Sequence, residues 1–335
     1  MKPHHDHLDC AKGISIVLVV VFHSTIALQD LANSKYWLLN NFMSPIRMPV
    51  FFFISGFLAR KTIETAAQDK IIRKVSTFVY LFAVWSILHL AWQAVSPMSS
   101  EPVASEWIEF MYSPSSVLWF IWALAIYFCV ARAGQVANRK LIFVAALLLS
   151  LSTYLGFIDF ENYAHENVLE FLPVFLFGVW YSEPLINSRR LRHPVAFPIS
   201  LMVFTAGFLV LYRGHLPDHV DGAATFLMAG LGVVVGLSTS IFLSRFDFLK
   251  RVPVFLGRNT LGIYVAHSPI VGLLAGALSL KLSNPTLLSL TGVPLVSAAA
   301  ILVSLGMKRL LDRVGFGWLY TLPFAAGRQN RVASA

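Results

Sequence analysis

The chain has 335 residues, of which 57% are hydrophobic and only 13% charged, with a net charge of +9 and a mean hydropathy of +0.69. Soluble domains carry about 25% charged residues, so this composition excludes a soluble globule and points to an all-α, polytopic integral membrane protein. The basic residues lie in short loops between apolar runs, which speaks for membrane orientation and against nucleic acid as a partner.

A membrane helix needs about 20 apolar residues. On that scale ten spans are expected, near 13–29, 42–60, 75–95, 116–132, 141–158, 168–184, 194–212, 223–243, 259–280 and 287–306. The first run lacks a small-residue cleavage site and is followed by further spans, so it reads as a retained helix rather than a signal peptide. It follows Lys12 and carries His23, ten residues past Gly13 and so roughly 15 Å along the helix, near the bilayer midplane. A His at that depth serves either as interhelical glue or as a general base in a polar cavity.

The second span contains "SPIRMPVFFFISGFLAR". Arg47 stands at its outer start between Pro45 and Pro49. It either snorkels to the headgroups or lines a cavity beside a helix that the two prolines distort. Ser55 precedes Gly56; Ser-Gly in a helix serves as a packing notch or offers Ser55 as a nucleophile. In the third span His89 lies among Trp85 and Trp92, a structural or interfacial setting. The sixth is expected to be weak, because Pro173 interrupts it, and Glu170 at its outer start suits the helix dipole. The ninth contains "GRNTLGIYVAHSPI", with His267 about nine residues, roughly 13 Å, beyond Arg258. Tyr264 shares its face at i−3, and Pro269 releases backbone carbonyls.

The loops alternate in charge. One set, around residues 2–12, 60–74, 132–140, 189–192, 245–258 and 308–331, holds 22 of the 26 Lys and Arg. The other holds Lys35, Arg47, Arg213, Lys281 and the acidic stretches "SSEPVASEWIEF" and "FIDFENYAHENVLE". The positive-inside rule then puts both termini in the cytoplasm. Cys10 and Cys129 fall near cytoplasmic helix ends and make no disulfide framework. The run "HHDHLD" reads as a solvated tail rather than a metal site. The longest hydrophilic loop is too short for a core. Residues 1–335 therefore read as a single membrane domain whose chemistry lies between helices.

Four motifs, in order, resemble the membrane acyltransferase-3 family. "LDCAKGISIVLVVVFH" is similar to its first-helix signature, a basic residue and then His after ten intervening residues. "RMPVFFFISGFL" is similar to its second-helix motif, "SSVLWFIWALAIYF" to its Trp-Phe-x-x-x-Leu helix, and "LGRNTLGIYVAHSPI" to its late Tyr-x-x-His helix. The opening and "MPVFFFISGF" most resemble the fucose 4-O-acetylase group. Three departures stand out. Lys12 occupies the place of Arg, Arg47 stands where that group often has His, and Thr260 replaces Ser.

The resemblance implies a multi-pass enzyme of the bacterial inner membrane, without a metal. It would move an acyl group, usually acetyl from cytoplasmic acetyl-CoA, to a hydroxyl of a glycan or lipid-linked sugar. In that reading His23 is the general base, Arg47 stabilises the oxyanion or holds an anionic acceptor, and His267 orients His23 or binds acceptor. Lys12, paired with Asp9, holds the CoA phosphates, and Tyr264 and Ser55 contact substrate. Composition alone allows a competing class, a proton-coupled transporter of a sugar or related solute.

Overall fold

The computed structural model describes residues 6–28, 36–65, 67–95, 112, 114, 117–214, 216–279 and 291–323. Lys2, Lys35, Lys281, Arg328, Arg331 and the acidic stretch 99–110 lie outside them. The described residues form twelve α-helices. These are α1 (Asp6–Ala27), α2 (Tyr36–Thr65), α3 (Gln68–Val95), α4 (Trp119–Val136), α5 (Arg139–Tyr154), α6 (Tyr163–Trp180), α7 (Ser182–Ile186), α8 (Ala196–Arg213), α9 (Asp218–Leu243), α10 (Asp247–Arg258), α11 (Thr260–Ser279) and α12 (Val293–Arg313). A short 3₁₀ turn, Gly317–Leu319, follows. The protein is an all-α polytopic membrane protein. All but α10 overlap an expected span, and among the described residues eight helices are long and apolar enough to cross a membrane.

Local chemistry explains where the helices depart from expectation. The fifth span is expected to reach residue 158, but α5 stops at Tyr154. Gly156 adopts φ 74°, and the amides of Gly156 and Phe157 donate back to Thr153 O and Ser152 O at 3.0 and 2.9 Å. That is a Schellman stop, which needs a residue tolerant of positive φ. The sixth helix begins at Tyr163, five residues before the expected 168, because Asn162 Oδ1 caps Ala164 N at 2.7 Å. It then runs through Pro173 unbroken. Its register against α2 is set by two glycines: a Cβ on Gly56 would lie 2.1 Å from Phe175 O, and one on Gly178 2.3 Å from Phe53 O. Such close backbone contact is how membrane helices associate without a hydrophobic driving force. Similarly, α2 stays helical through Pro45 and Pro49.

Helix α2 lies at the centre. Phe52 meets the rings of Phe120 at 4.6 Å, Tyr127 at 5.1 Å and Phe171 at 5.5 Å, which ties α4 and α6 to it. The Tyr127 hydroxyl donates to Val168 O at 2.8 Å.

Helix α10 occupies an expected basic loop. It carries Lys250, Arg251 and Arg258 beside exposed Phe248, Leu249 and Val252, the arrangement of a helix lying in an interface. It packs on the first turns of α1, where a Cβ on Gly13 would lie 1.9 Å from Pro253 O and one on Gly257 1.8 Å from Asp9 O. The cation-rich helix ends also meet one another. Arg60 pairs with Glu183 at 2.8 Å, Arg132 donates to Ile63 O at 3.2 Å, Arg245 donates to Arg192 O, and Arg309 lies over Phe255 at 5.7 Å.

Candidate functional site

Helices α1, α2 and α11 bring four of the expected residues together. The His23 and His267 rings stand with centroids 5.1 Å apart. The Arg47 guanidinium lies 4.0 Å above the Phe22 ring, next to His23, a favourable cation–π geometry. The Tyr264 and His267 rings are 5.9 Å apart. Residues from two distant ends of the chain thus share one cluster.

Burial separates the two readings of Arg47. It is 7% exposed and eleven residues into α2, so it does not snorkel to the headgroups. Its Nη1 is buried with no hydrogen-bond partner among the described residues, and no carboxylate there pairs with it. Buried polar atoms are nearly always satisfied, and leaving one open costs about 1–3 kcal/mol. Yet Ser24 Oγ and Asn40 Nδ2, on the same two helices, are also open, and so is His267 Nε2.

The chemistry of His267 follows from its partner. Its Nδ1 lies 2.7 Å from Tyr264 O. A carbonyl only accepts, so Nδ1 carries the proton, and in the neutral ring Nε2 keeps its lone pair. His267 is fully buried, whereas His23 is only partly so. Tyr264 is fixed in turn, since its hydroxyl donates to Val117 O.

Lys12 and Asp9 lie elsewhere, at the basic end. Their ion pair is 2.8 Å, and eleven residues, about 16 Å of helix, separate Lys12 from His23. Arg258 joins Asp9 at 3.3 Å and Asp6 at 3.1 Å; Lys250 reaches Asp6 at 3.6 Å and Asp247 at 2.8 Å. The exposed Lys250–Asp247 pair lowers the Asp247 pKa and raises that of Lys250. The sequence places Arg258 in a basic loop and does not show helix α10, for which the apolar and basic alternation of "DFLKRVPVFLGR" is the available signal. His4 and His5 of the tail lie outside the described residues, while Asp6 and Asp9 are engaged in these pairs. Ser55 is eight residues, about 12 Å along α2, from Arg47. It is partly buried beside the Gly56 contact, as a packing notch requires.

One expectation needs correction. Glu170 is not at a helix start, since α6 begins seven residues earlier and Glu166 occupies its first turn. Instead Glu170 lines two abutting cavities, on the side of α2 that bears Pro45 and Pro49. One, of about 340 Å³, is polar and includes Glu166, Asn167 and Asp221; the other, of about 350 Å³, is apolar and includes Phe143, Phe177 and Phe226. Glu170, Tyr154 and Ala229 line both. Neither cavity touches His23 or His267. His89, expected in a structural or interfacial setting, takes the structural one. It is 6% exposed, with Nε2 2.8 Å from Val265 O.

Comparison with known proteins adds three findings. Residues 5–309 match the family model described as "Acyltransferase domain". The chain is 23% identical over 302 residues, 81% of each protein, to "Inner membrane protein YcfT" of Escherichia coli strain K12. No solved structure matches it.

Proposed function

Because the chain belongs to the acyltransferase-3 family, we propose that it is a membrane O-acyltransferase. It moves an acyl group, acetyl foremost, from acyl-CoA to a hydroxyl of a glycan or lipid-linked sugar, with His23 as general base. The carrying observation is the cluster of His23, His267 and Arg47, three ionisable side chains from three helices with buried polar atoms left open beside them. Ionisable groups inside a membrane protein are costly and mark functional sites.

The acceptor hydroxyl attacks the thioester carbonyl while His23 takes its proton, a role suited to imidazole at neutral pH. The carbonyl oxygen becomes an oxyanion, and the open Arg47 Nη1–H donates to it. The tetrahedral intermediate collapses by expelling the CoA thiolate, which recovers the proton from His23. The products are an ester and CoASH. His267 holds its proton on Nδ1 against Tyr264 O, so its Nε2 presents a lone pair toward the cluster and orients His23. Lys12 binds the CoA phosphates at the basic end, and Arg258, which shares Asp9 with it, belongs to the same mouth. No metal takes part. The whole chain works as one membrane domain. Since the Escherichia coli relative is named an inner membrane protein, we place this chain in that membrane, with the basic face toward the cytoplasm.

The deciding experiment is mass spectrometry of surface glycans from cells with and without the gene. A shift of one acetyl unit is expected. An unchanged glycan profile, together with no acetyl-CoA turnover by purified protein on those glycans, overturns the proposal.

A further inference from the structure

We infer that His89 is a positioning residue for His267: it satisfies a backbone carbonyl that Pro269 releases and so fixes the helical turn that carries His267. This inference rests on the catalytic reading of the histidine cluster given above.

The reasoning begins with proline geometry. In a helix, residue 269 donates its N–H to the carbonyl of residue 265. Pro269 has no N–H, and its ring crowds that same carbonyl. Val265 O, in the fully buried middle of α11, therefore loses its helical donor. A buried carbonyl without a donor is costly, and in a membrane no water in the hydrocarbon region replaces it. The structure supplies a donor from another helix, since His89 Nε2 on α3 lies 2.8 Å from Val265 O. The carbonyl only accepts, so Nε2 carries the proton.

The position of this bond gives it consequences for the cluster. Val265 follows Tyr264, whose carbonyl accepts a hydrogen bond from Nδ1–H of His267. Moving the 264–265 turn moves the acceptor that sets the tautomer and direction of the His267 ring. His89 is itself held. One turn earlier, Trp85 Nε1 donates to Leu319 O at 2.7 Å, and the Trp85 ring meets Tyr320 at 5.5 Å. On the other side, the Tyr264 hydroxyl is tied to Val117 O. The turn bearing His267 is thus gripped from α3 and from the start of α4. His89 makes no hydrogen bond or ring contact with His23 or Arg47; its hydrogen bond is to the α11 backbone, and through it His89 acts.

The test is a cycle of purified variants: His89→Ala, His89→Gln, Pro269→Ala and His89→Ala with Pro269→Ala. Each is assayed for acetyl-CoA turnover with acceptor, and for thermal melting. His89→Ala should lower kcat about 10- to 100-fold, the cost of a misplacement of the order of 1 Å, with the KM for acetyl-CoA nearly unchanged. His89→Gln, which brings an N–H to the same carbonyl, should restore most of kcat. Ala at 269 returns the missing N–H, so in that background His89→Ala should cost much less, in kcat and in melting temperature alike. Equal losses in both backgrounds overturn the inference. So does a wild-type kcat in His89→Ala, a loss confined to KM, or a loss that Gln does not rescue. If the wild type itself fails to turn over acetyl-CoA, the catalytic reading fails. The melting cycle then decides the clamp alone, additive effects overturning it and non-additive effects upholding it.

Discussion

Two regions along α1 handle charge in opposite ways. At its basic end, Lys12, Asp9, Arg258, Asp6 and Lys250 form a connected set of ion pairs, and two glycines let α10 lie directly against the helix. About 16 Å further along, the His23 cluster leaves Arg47 Nη1 and His267 Nε2 buried and open. The first region joins opposite charges and stabilises a helix contact. The second bears a cost that packing does not offset, which is the expected mark of a site shaped for a partner that arrives later. Open hydrogen-bonding capacity, more than the presence of charge, distinguishes the two.

The contrast breaks most visibly at His23. His23→Ala should lower turnover about 10²- to 10⁴-fold, the usual contribution of a general base, without loss of folded protein on size exclusion. Near wild-type turnover in folded protein would remove the base from the mechanism. Arg47→Met tests the open donor. Loss of one oxyanion donor costs about 10²- to 10³-fold in kcat, while removal of an unpaired buried charge should raise the melting temperature. A variant that melts lower would show that Arg47 is structural after all.

The packed region should respond the other way. Gly257→Ala puts a Cβ 1.8 Å from Asp9 O, so α10 must shift; overpacking of this kind costs about 1–3 kcal/mol. The protein should melt earlier, and an unchanged melting curve would show that α10 is loosely held. The smallest effect is expected at Lys12. Lys12→Ala should raise the KM for acetyl-CoA about tenfold, equivalent to about 1.4 kcal/mol, whereas Lys12→Arg keeps the cation and should differ little. An unchanged KM in both would assign Lys12 to the ion-pair network and to nothing else. Stabilisation of the solubilised protein by CoA sharpens the same point, since a sugar carrier would not respond.

Much of the fold was legible in the sequence because apolar length is a one-dimensional property. Ten expected spans overlap ten long helices, and errors gathered at the ends, where Gly156 and Asn162 decide by local hydrogen bonds. Proline breaks these helices less than its chemistry suggests. Pro45, Pro49 and Pro173 sit inside continuous helices because neighbouring helices hold them. Amphipathic α10, too short for a span, passed for a loop.

By itself the sequence determined that the chain is an all-α membrane protein, and that His23, Arg47, His89, Glu170 and His267 are the costly residues in its apolar runs. Hydropathy and residue chemistry suffice for that. Only the tertiary structure decided which of them meet. It put His23 beside His267 across 244 residues of chain, tied Lys12 to Asp9 and Arg258, moved Glu170 to a cavity wall, and gave the carbonyl released by Pro269 to His89. The physical reason is that a sequence can announce an unsatisfied polar group, but its partner is chosen by how the helices pack, and packing is not written in any single span.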